Sequence, residues 1–551
     1  MVANVTELLA PHLRADSDAP AQRFPTEQGW MRRSYGELSA LVDGVAGVLL
    51  SAGAAAGARV ALIAPTRADW TVVDLACARL GAPLVPIYPT AAPAQIADIV
   101  RRSSPAILIA PTGMPLPPLD PAVRILRLGD ADGDLGDLDP AGAGQAGAGQ
   151  AGADSAPAAA LRALPPAPAA TDLFTIAFSS GSTGEPKGCL LTHANWVAVL
   201  EMCLAAETHP ERGLAHRAAA FVYLPLAHAS ARLQQLTTLA AGGELIYGTG
   251  DTADILRQIA EVRPTYVPGV PRLFESAHAR VGGDPAALRA IFGDRLLYAL
   301  SGGAPIDAGM LDAYRAAGIE LVNGYGLTET STALAIGTPH DSRPGTVGRP
   351  LPGVEIRIAG GGDIAADGEI LARGANVFSG YLDAPAATAA AFVDGWFRTG
   401  DLGRLDAAGH LVVTGRTKNL LVTSTGKNVA PEPAENLVRS RCAVDDVLVV
   451  GDRRPYLIAI ATDPDGMLDP DALVAALREH NELVSPPERI RRAVVVPDRL
   501  AVDAGERTAS GKVVRSAALD RFAALIDAVY ADRAEGVLEI VARPPRLRAT
   551  A

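Results

Sequence analysis

A chain of 551 residues, 49% hydrophobic and 20% charged, is long enough for more than one folding unit and too apolar to remain disordered. Its net charge of −12 weighs against a nucleic-acid-binding surface, and it has no run of eighteen apolar residues that would read as a membrane span. Cys77, Cys189, Cys203 and Cys442 form no CxxC pair, which argues against a disulfide framework and a zinc site and fits a reducing cytoplasm. The opening stretch through Asp16 carries no basic segment ahead of an apolar run, so it reads as a helix rather than a signal peptide. Peripheral contact with a membrane surface is left open.

In chain order, Ser34 and Glu37 form a capping-box pattern that opens a helix with Leu38, Leu41, Val42, Val45, Val48 and Leu49 at 3–4 spacing. Residues 59–64 (RVALIA) predict a buried strand. A helix with Trp70, Val73, Cys77 and Leu80 on one face follows, closed by Gly81. Residues 84–88 and 106–110 predict further strands, and the alternation implies a largely parallel sheet. Residues 130–170 break the texture with Ala/Gly repeats and predict a surface insertion. The α/β pattern resumes at Thr171. Residues 412–427 predict a strand, a polar turn and a hairpin. A smaller α/β unit follows, with strands at 447–450, 457–461 and 493–496 and helices at 471–478 and 516–530. The expected division is 1–417 and 418–551.

Only four lysines occur among 49 basic residues: Lys187, Lys418, Lys427 and Lys512. Such scarcity suggests positions where a compact ammonium serves and a planar guanidinium does not. Lys187 closes the segment from Ser179 to Gly188 (SSGSTGEPKG), whose glycines and hydroxyls suit an anion cradle. The order Pro-Lys-Gly separates it from a Walker loop.

That loop resembles the nucleotide signature of the adenylate-forming superfamily, which includes acyl-CoA synthetases, peptide-synthetase adenylation domains and luciferases. Further motifs of the family follow in order: LPLAH (224–228), SGGAP (301–305), NGYGLTET (323–330), GWFRTGD (395–401), GRTKN (415–419) and TASGK (508–512). The resemblance implies a large N-terminal adenylate-forming domain with mixed and parallel sheets and helices, plus a smaller mobile α/β C-terminal domain that carries the catalytic lysine.

By the same resemblance, Ser179, Ser180, Gly181, Ser182, Thr183, Gly184 and Lys187 meet the phosphates of ATP. Gly302, Gly303 and Ala304 line the adenine, Tyr325 stacks on it, and Asn323, Gly324 and Gly326 belong to the same ATP/AMP-binding set. Thr328 contacts phosphate, Glu329 is the Mg2+ ligand, and Asp401 and Arg416 hold the ribose. His228 lies beside the acyl carboxylate; amino-acid-activating relatives carry Asp there, so an acid without an α-amino group is expected. Lys512 bridges the carboxylate and the α-phosphate, Lys418 is the hinge, and Gly426 and Lys427 meet coenzyme A. Many relatives have Arg where Lys427 stands.

The implied reaction is a two-step ligation: acyl-AMP and pyrophosphate form from a carboxylic acid and ATP, then CoA receives the acyl group and AMP leaves. LPLAH with Arg232, and GKNVAPEP (426–433), look most like the long-chain fatty acid branch, which points to a medium- or long-chain or other bulky apolar acid. An aryl-CoA ligase, a luciferase-like oxygenase and an acyl-AMP ligase that loads an acyl carrier protein are the alternatives. The compact run from Gly345 to Gly374 disfavours the last.

Overall fold

The computed structural model describes residues 3–129, 135, 166–179, 186–207, 218–360, 367–424 and 427–541. Most of the Ala/Gly insertion and the final ten residues lie outside them, as do Ser180, Gly181, Ser182, Thr183, Gly184 and Gly426. The chain divides into two compact units. One comprises 1–304, 311–357 and 371–398; the other comprises 305–310, 358–370 and 399–551.

Among the described residues the first unit contains a seven-stranded and a nine-stranded sheet. The strands Val60–Ile63, Leu84–Ile87 and Ile107–Pro111 pair in parallel at the centre of one. Val60–Ile63 and Leu84–Ile87 are buried throughout, which is why they read as unbroken apolar runs rather than alternating ones. Among the described residues that sheet runs Gly380–Tyr381, Lys187–Thr192, Leu173–Ser179, Leu84–Ile87, Val60–Ile63, Ile107–Pro111, Arg124–Leu128. The other sheet contains the parallel neighbours Leu321–Tyr325, Tyr298–Ser301 and Tyr266–Gly269. Helix Tyr35–Ser51 starts with the expected capping box between Ser34 and Glu37. Helix Ala68–Leu80 ends at Gly81, whose φ of 62° is the left-handed conformation glycine adopts without steric cost.

The opening segment differs from its expected single helix. It forms a 3-10 turn, Val5–Glu7, and a separate helix, Ala10–Ala15. Pro11 lacks the N–H an interior helical position needs, so it begins a helix instead of continuing one.

In the second unit the strands Asp446–Val450, Leu457–Thr462 and Ile490–Val496 form a sheet with Leu538–Glu539. One face packs on the helices Glu432–Arg441 and Pro470–Leu483, the other on Ala518, Phe522, Ile526 and Val529. The single helix expected over 516–530 is two, Arg515–Arg521 and Ala523–Tyr530. Phe522 sits at the break with its ring buried, which lets Ala518 and Ile526 both reach the same core. Among the described residues no helix is long and apolar enough to cross a membrane.

Candidate functional site

In the first unit, Leu173–Ser179 and Lys187–Thr192 are antiparallel, with Ser179 opposite Lys187. The Ser179 hydroxyl donates to the Lys187 carbonyl at 3.4 Å. Strand Gly380–Tyr381 pairs on the other edge of Lys187–Thr192, with Tyr381 opposite Cys189. A Cβ on Gly188 would lie 3.1 Å from Ile176 and 3.2 Å from Leu382 and Phe178, so glycine lets the strands close here. The Lys187 ammonium lies 5.1 Å from the centre of the Tyr381 ring. The Tyr381 hydroxyl donates to Glu329 Oε1 at 3.0 Å. Burial pushes the Tyr381 phenol up, and the Glu329 carboxylate adds to the shift. The Cys189 thiol is pushed well up by burial and then by Glu329.

Asn323, Gly324 and Tyr325 end one parallel strand, and Gly302, Gly303 and Ala304 follow its neighbour. Carboxyl ends of parallel strands are where α/β sheets bind ligands. A Cβ on Gly326 would fall 2.1 Å from the Thr332 carbonyl, so no other residue fits that turn. Thr328–Thr330 is a 3-10 turn, followed by Ser331 at φ 48° and Thr332 at φ 78°. A β-branched residue there is strained and persists only if its surroundings hold it. They do: Asn376 Nδ2 donates to the carbonyls of Thr330 (3.1 Å) and Ala333 (2.7 Å), Ser331 donates to the Asn376 carbonyl (2.9 Å), and Phe378 N–H donates to the Glu329 carbonyl (2.8 Å).

Among the described residues no group of three or more His, Cys, Asp or Glu side chains is placed to hold a metal. One carboxylate oriented by a phenol suits Mg2+ instead, which takes one or two carboxylates together with substrate phosphates.

His228 caps helix Ala229–Ala240: its Nδ1 accepts from the Ser230 N–H at 3.1 Å. A backbone N–H only donates, so the neutral ring carries its proton on Nε2. The Tyr88 ring meets the imidazole edge-on at 6.5 Å. Thr66 braces the preceding segment, donating to the Leu224 carbonyl (2.7 Å) and accepting from Leu226 N–H (3.0 Å).

In the second unit Asp401 and Arg416 face each other across the hairpin of Trp396–Leu405 and Leu411–Arg416. The guanidinium Nε lies 2.9 Å from the Asp401 carboxylate; Asp401 is buried and Arg416 half-exposed. Lys418 lies in the 3-10 turn Thr417–Asn419. Although it retains exposed surface, desolvation and the Arg416 charge pull its pKa down to about 8. Lys512 is likewise exposed, with a backbone turn closed from Lys512 N–H to Thr508 Oγ1 (3.1 Å). Desolvation, then Arg416, lowers its pKa, and Asp401 opposes them. The same two groups thus act on both lysines. Lys427 pairs with Glu488 at 3.1 Å.

Sequence reasoning missed Tyr381, Asn376 and Asp74, the partner of Arg232. Their only local signals are a Gly-Tyr pair ahead of a Pro turn, an Asn between small residues, and an acid on an otherwise apolar helix face.

Fold and site together define an adenylate-forming enzyme. The model of the AMP-binding enzyme family matches residues 10–382, and that of the AMP-binding enzyme C-terminal domain matches 418–534. The chain belongs to this family. Long-chain-fatty-acid–CoA ligase FadD15 of Mycobacterium tuberculosis is 34% identical over 96% of this chain and 97% of its own. Feruloyl-CoA synthase of an Amycolatopsis species is 31% identical over 89% and 94%. Among solved structures, ATP-bound MatB from Rhodopseudomonas palustris shares the fold at a TM-score of 0.74 and 24% identity, over 95% of this chain and 99% of that one.

Proposed function

We propose that this chain is an ATP-dependent, AMP-forming acyl-CoA synthetase that activates a medium- or long-chain fatty acid, or another bulky apolar acid. The observation that carries the reading is the convergence of Lys187 and Glu329 on Tyr381, which unites the loop motif with the Tyr-Gly-Leu-Thr-Glu motif at one point. The length of fatty acid is taken from the mycobacterial relative, which is named a long-chain-fatty-acid–CoA ligase.

In this reading Lys187, Thr328 and residues 179–184 bind the phosphates. Gly302, Gly303, Ala304, Asn323, Gly324, Tyr325 and Gly326 enclose the adenine. Asp401 accepts from the ribose hydroxyls beside Arg416. Glu329 holds Mg2+, which when bound neutralises phosphoryl charge. His228 donates through Nε2 to the acid's carboxylate. The carboxylate attacks the α-phosphorus in line, and the Lys512 ammonium steadies the charge that grows on the oxygens. In the second step the CoA thiol displaces AMP. Residues 418–551 act as the mobile lid with Lys418 as hinge, and Gly426 and Lys427 receive CoA once Lys427 leaves Glu488. A cytoplasmic location belongs to the same proposal.

A panel of carboxylic acids, scored for pyrophosphate release without acceptor, with CoA and with an acyl carrier protein, tests it. Apolar acids are expected to release pyrophosphate, and only CoA to yield thioester. Lys512→Ala is expected to lose adenylation about 100-fold or more while ATP binding stays within a few-fold. Unchanged adenylation by that variant, or silence with every acid, overturns the reading. The feruloyl-CoA synthase relative supports an aryl acid as the second reading, which aromatic members of the panel decide.

A further inference from the structure

We propose that Tyr381 is a positioning residue that sets Lys187 and Glu329 relative to one another, its hydroxyl aiming the carboxylate and its ring face seating the ammonium. The inference rests on the reading of Glu329 as the Mg2+ ligand and Lys187 as a phosphate contact. The three residues come from distant parts of the chain, and one short strand joins them. Gly380–Tyr381 pairs with Lys187–Thr192, which brings the tyrosine beside the lysine's strand. Three residues earlier, Phe378 N–H holds the Glu329 carbonyl at 2.8 Å. Tyr381 therefore belongs to the same short segment that already fixes the backbone of Glu329.

Tyrosine is suited to both tasks. Its phenol donates to Oε1 of Glu329 at 3.0 Å, and its π-face attracts a cation, with Nζ of Lys187 at 5.1 Å from the ring centre. Among the described residues Lys187 and Glu329 form no ion pair with each other. A lysine and a glutamate left together would neutralise one another, and neither would then serve a phosphate or a cation. A neutral side chain bound to both keeps their charges separate and available. Groups that orient a metal-binding side chain in this way commonly change cation affinity 10–100-fold when removed.

The test uses the full-length protein with Mn2+ as a spectroscopic substitute for Mg2+. Free and bound Mn2+ are read by electron paramagnetic resonance in the presence of ATP, and ATP binding is read separately by calorimetry. Tyr381→Phe keeps the ring and removes only the hydroxyl. It is expected to raise half-saturating Mn2+ about 10-fold, with ATP affinity at saturating Mn2+ within about two-fold. Tyr381→Leu is expected to show the same cation shift and, in addition, a several-fold loss of ATP affinity through Lys187. Glu329→Asp draws the carboxylate away from the phenol without touching the packed ring, and is expected to reproduce the cation shift. In a Glu329→Gln background, Tyr381→Phe is expected to add nothing further.

An unchanged Mn2+ requirement in Tyr381→Phe, or a loss that adds fully to that of Glu329→Gln, overturns the proposal. If Glu329→Gln itself leaves Mn2+ binding intact, the assignment of Glu329 fails and the role of Tyr381 falls with it. If Glu329→Gln loses Mn2+ while Tyr381→Phe does not, only the role of Tyr381 fails.

Discussion

Arg232 with Asp74 and Arg416 with Asp401 are the same chemical pair in opposite surroundings. Arg232 and Asp74 are 1% and 0% exposed, joined at 2.8 Å through Nε and by a second contact through the other carboxylate oxygen. Gln235 adds a donor to Asp74 at 3.0 Å. The rings of Phe174, Trp196 and Trp70 stand 4.1, 5.3 and 5.8 Å from the guanidinium. Both carboxylate oxygens of Asp74 are met by protein donors, and the pair lies buried beside the three rings. Arg416 instead keeps 45% of its side chain exposed while Asp401 keeps 4%. One partner is anchored and the other is wet, so an incoming hydroxyl can share the carboxylate. Burial, not residue type, separates this structural pair from the one proposed to hold the ribose.

The largest expected effect comes from breaking the dry pair. Asp74→Ala strands the Arg232 charge among three aromatic rings and is expected to cost about 3–5 kcal/mol, read as a fall in thermal and denaturant midpoints. Replacing both members together, Asp74→Leu with Arg232→Met, is expected to recover most of that loss. No recovery would mean that the pair does more than satisfy itself.

His193 sharpens the same contrast by pH. It packs 5.1 Å from Phe174, accepts from Val5 N–H at 3.4 Å, and is wholly buried. Burial pushes its pKa down to about 4, Arg232 adding and Asp172 opposing. The unfolded chain takes up its proton first, near the ordinary value of about 6.5. Stability from this group is therefore complete above that value and lost as pH falls from about 6.5 to about 4, by about 3 kcal/mol in all. In His193→Asn that component of the acid slope is expected to vanish in urea titrations run across the window.

The smallest effect on folding, and the one confined to ligand, is expected at the wet pair. Asp401→Asn should leave the melting temperature nearly unchanged and weaken ATP binding by about 1.5–3 kcal/mol, the worth of hydrogen bonds to a charged acceptor. Wild type should discriminate against 2′,3′-dideoxy-ATP and the variant should not. A variant that melts early but still distinguishes the two nucleotides would put Asp401 in the structural class with Asp74.

Much of the fold is written locally. The apolar runs at Val60–Ile63 and Leu84–Ile87 announced buried parallel strands. Ser34 with Glu37, and Gly81, marked helix ends. These signals act between neighbours a few residues apart, through capping, backbone φ and hydrophobic period. They fail where a side chain's long-range role contradicts its local pattern. Helix 516–530 looked continuous because nothing near Phe522 forbids a helix; its ring is drawn into a core built by strands of a sheet far away in the chain.

The candidate site divides in the same way. The amino-acid order alone determined which motifs are present and in what succession, because each is a contiguous run of residues: the loop to Lys187, the turn through Glu329, the hairpin of Asp401 and Arg416, and the turn before Lys512. Tertiary structure alone decided which side chains tie them together and which stay dry. Tyr381 meets Glu329 across 52 positions, and Arg232 meets Asp74 across 158. Strand register and burial fix such contacts, and both are properties of the packed chain rather than of any segment of it.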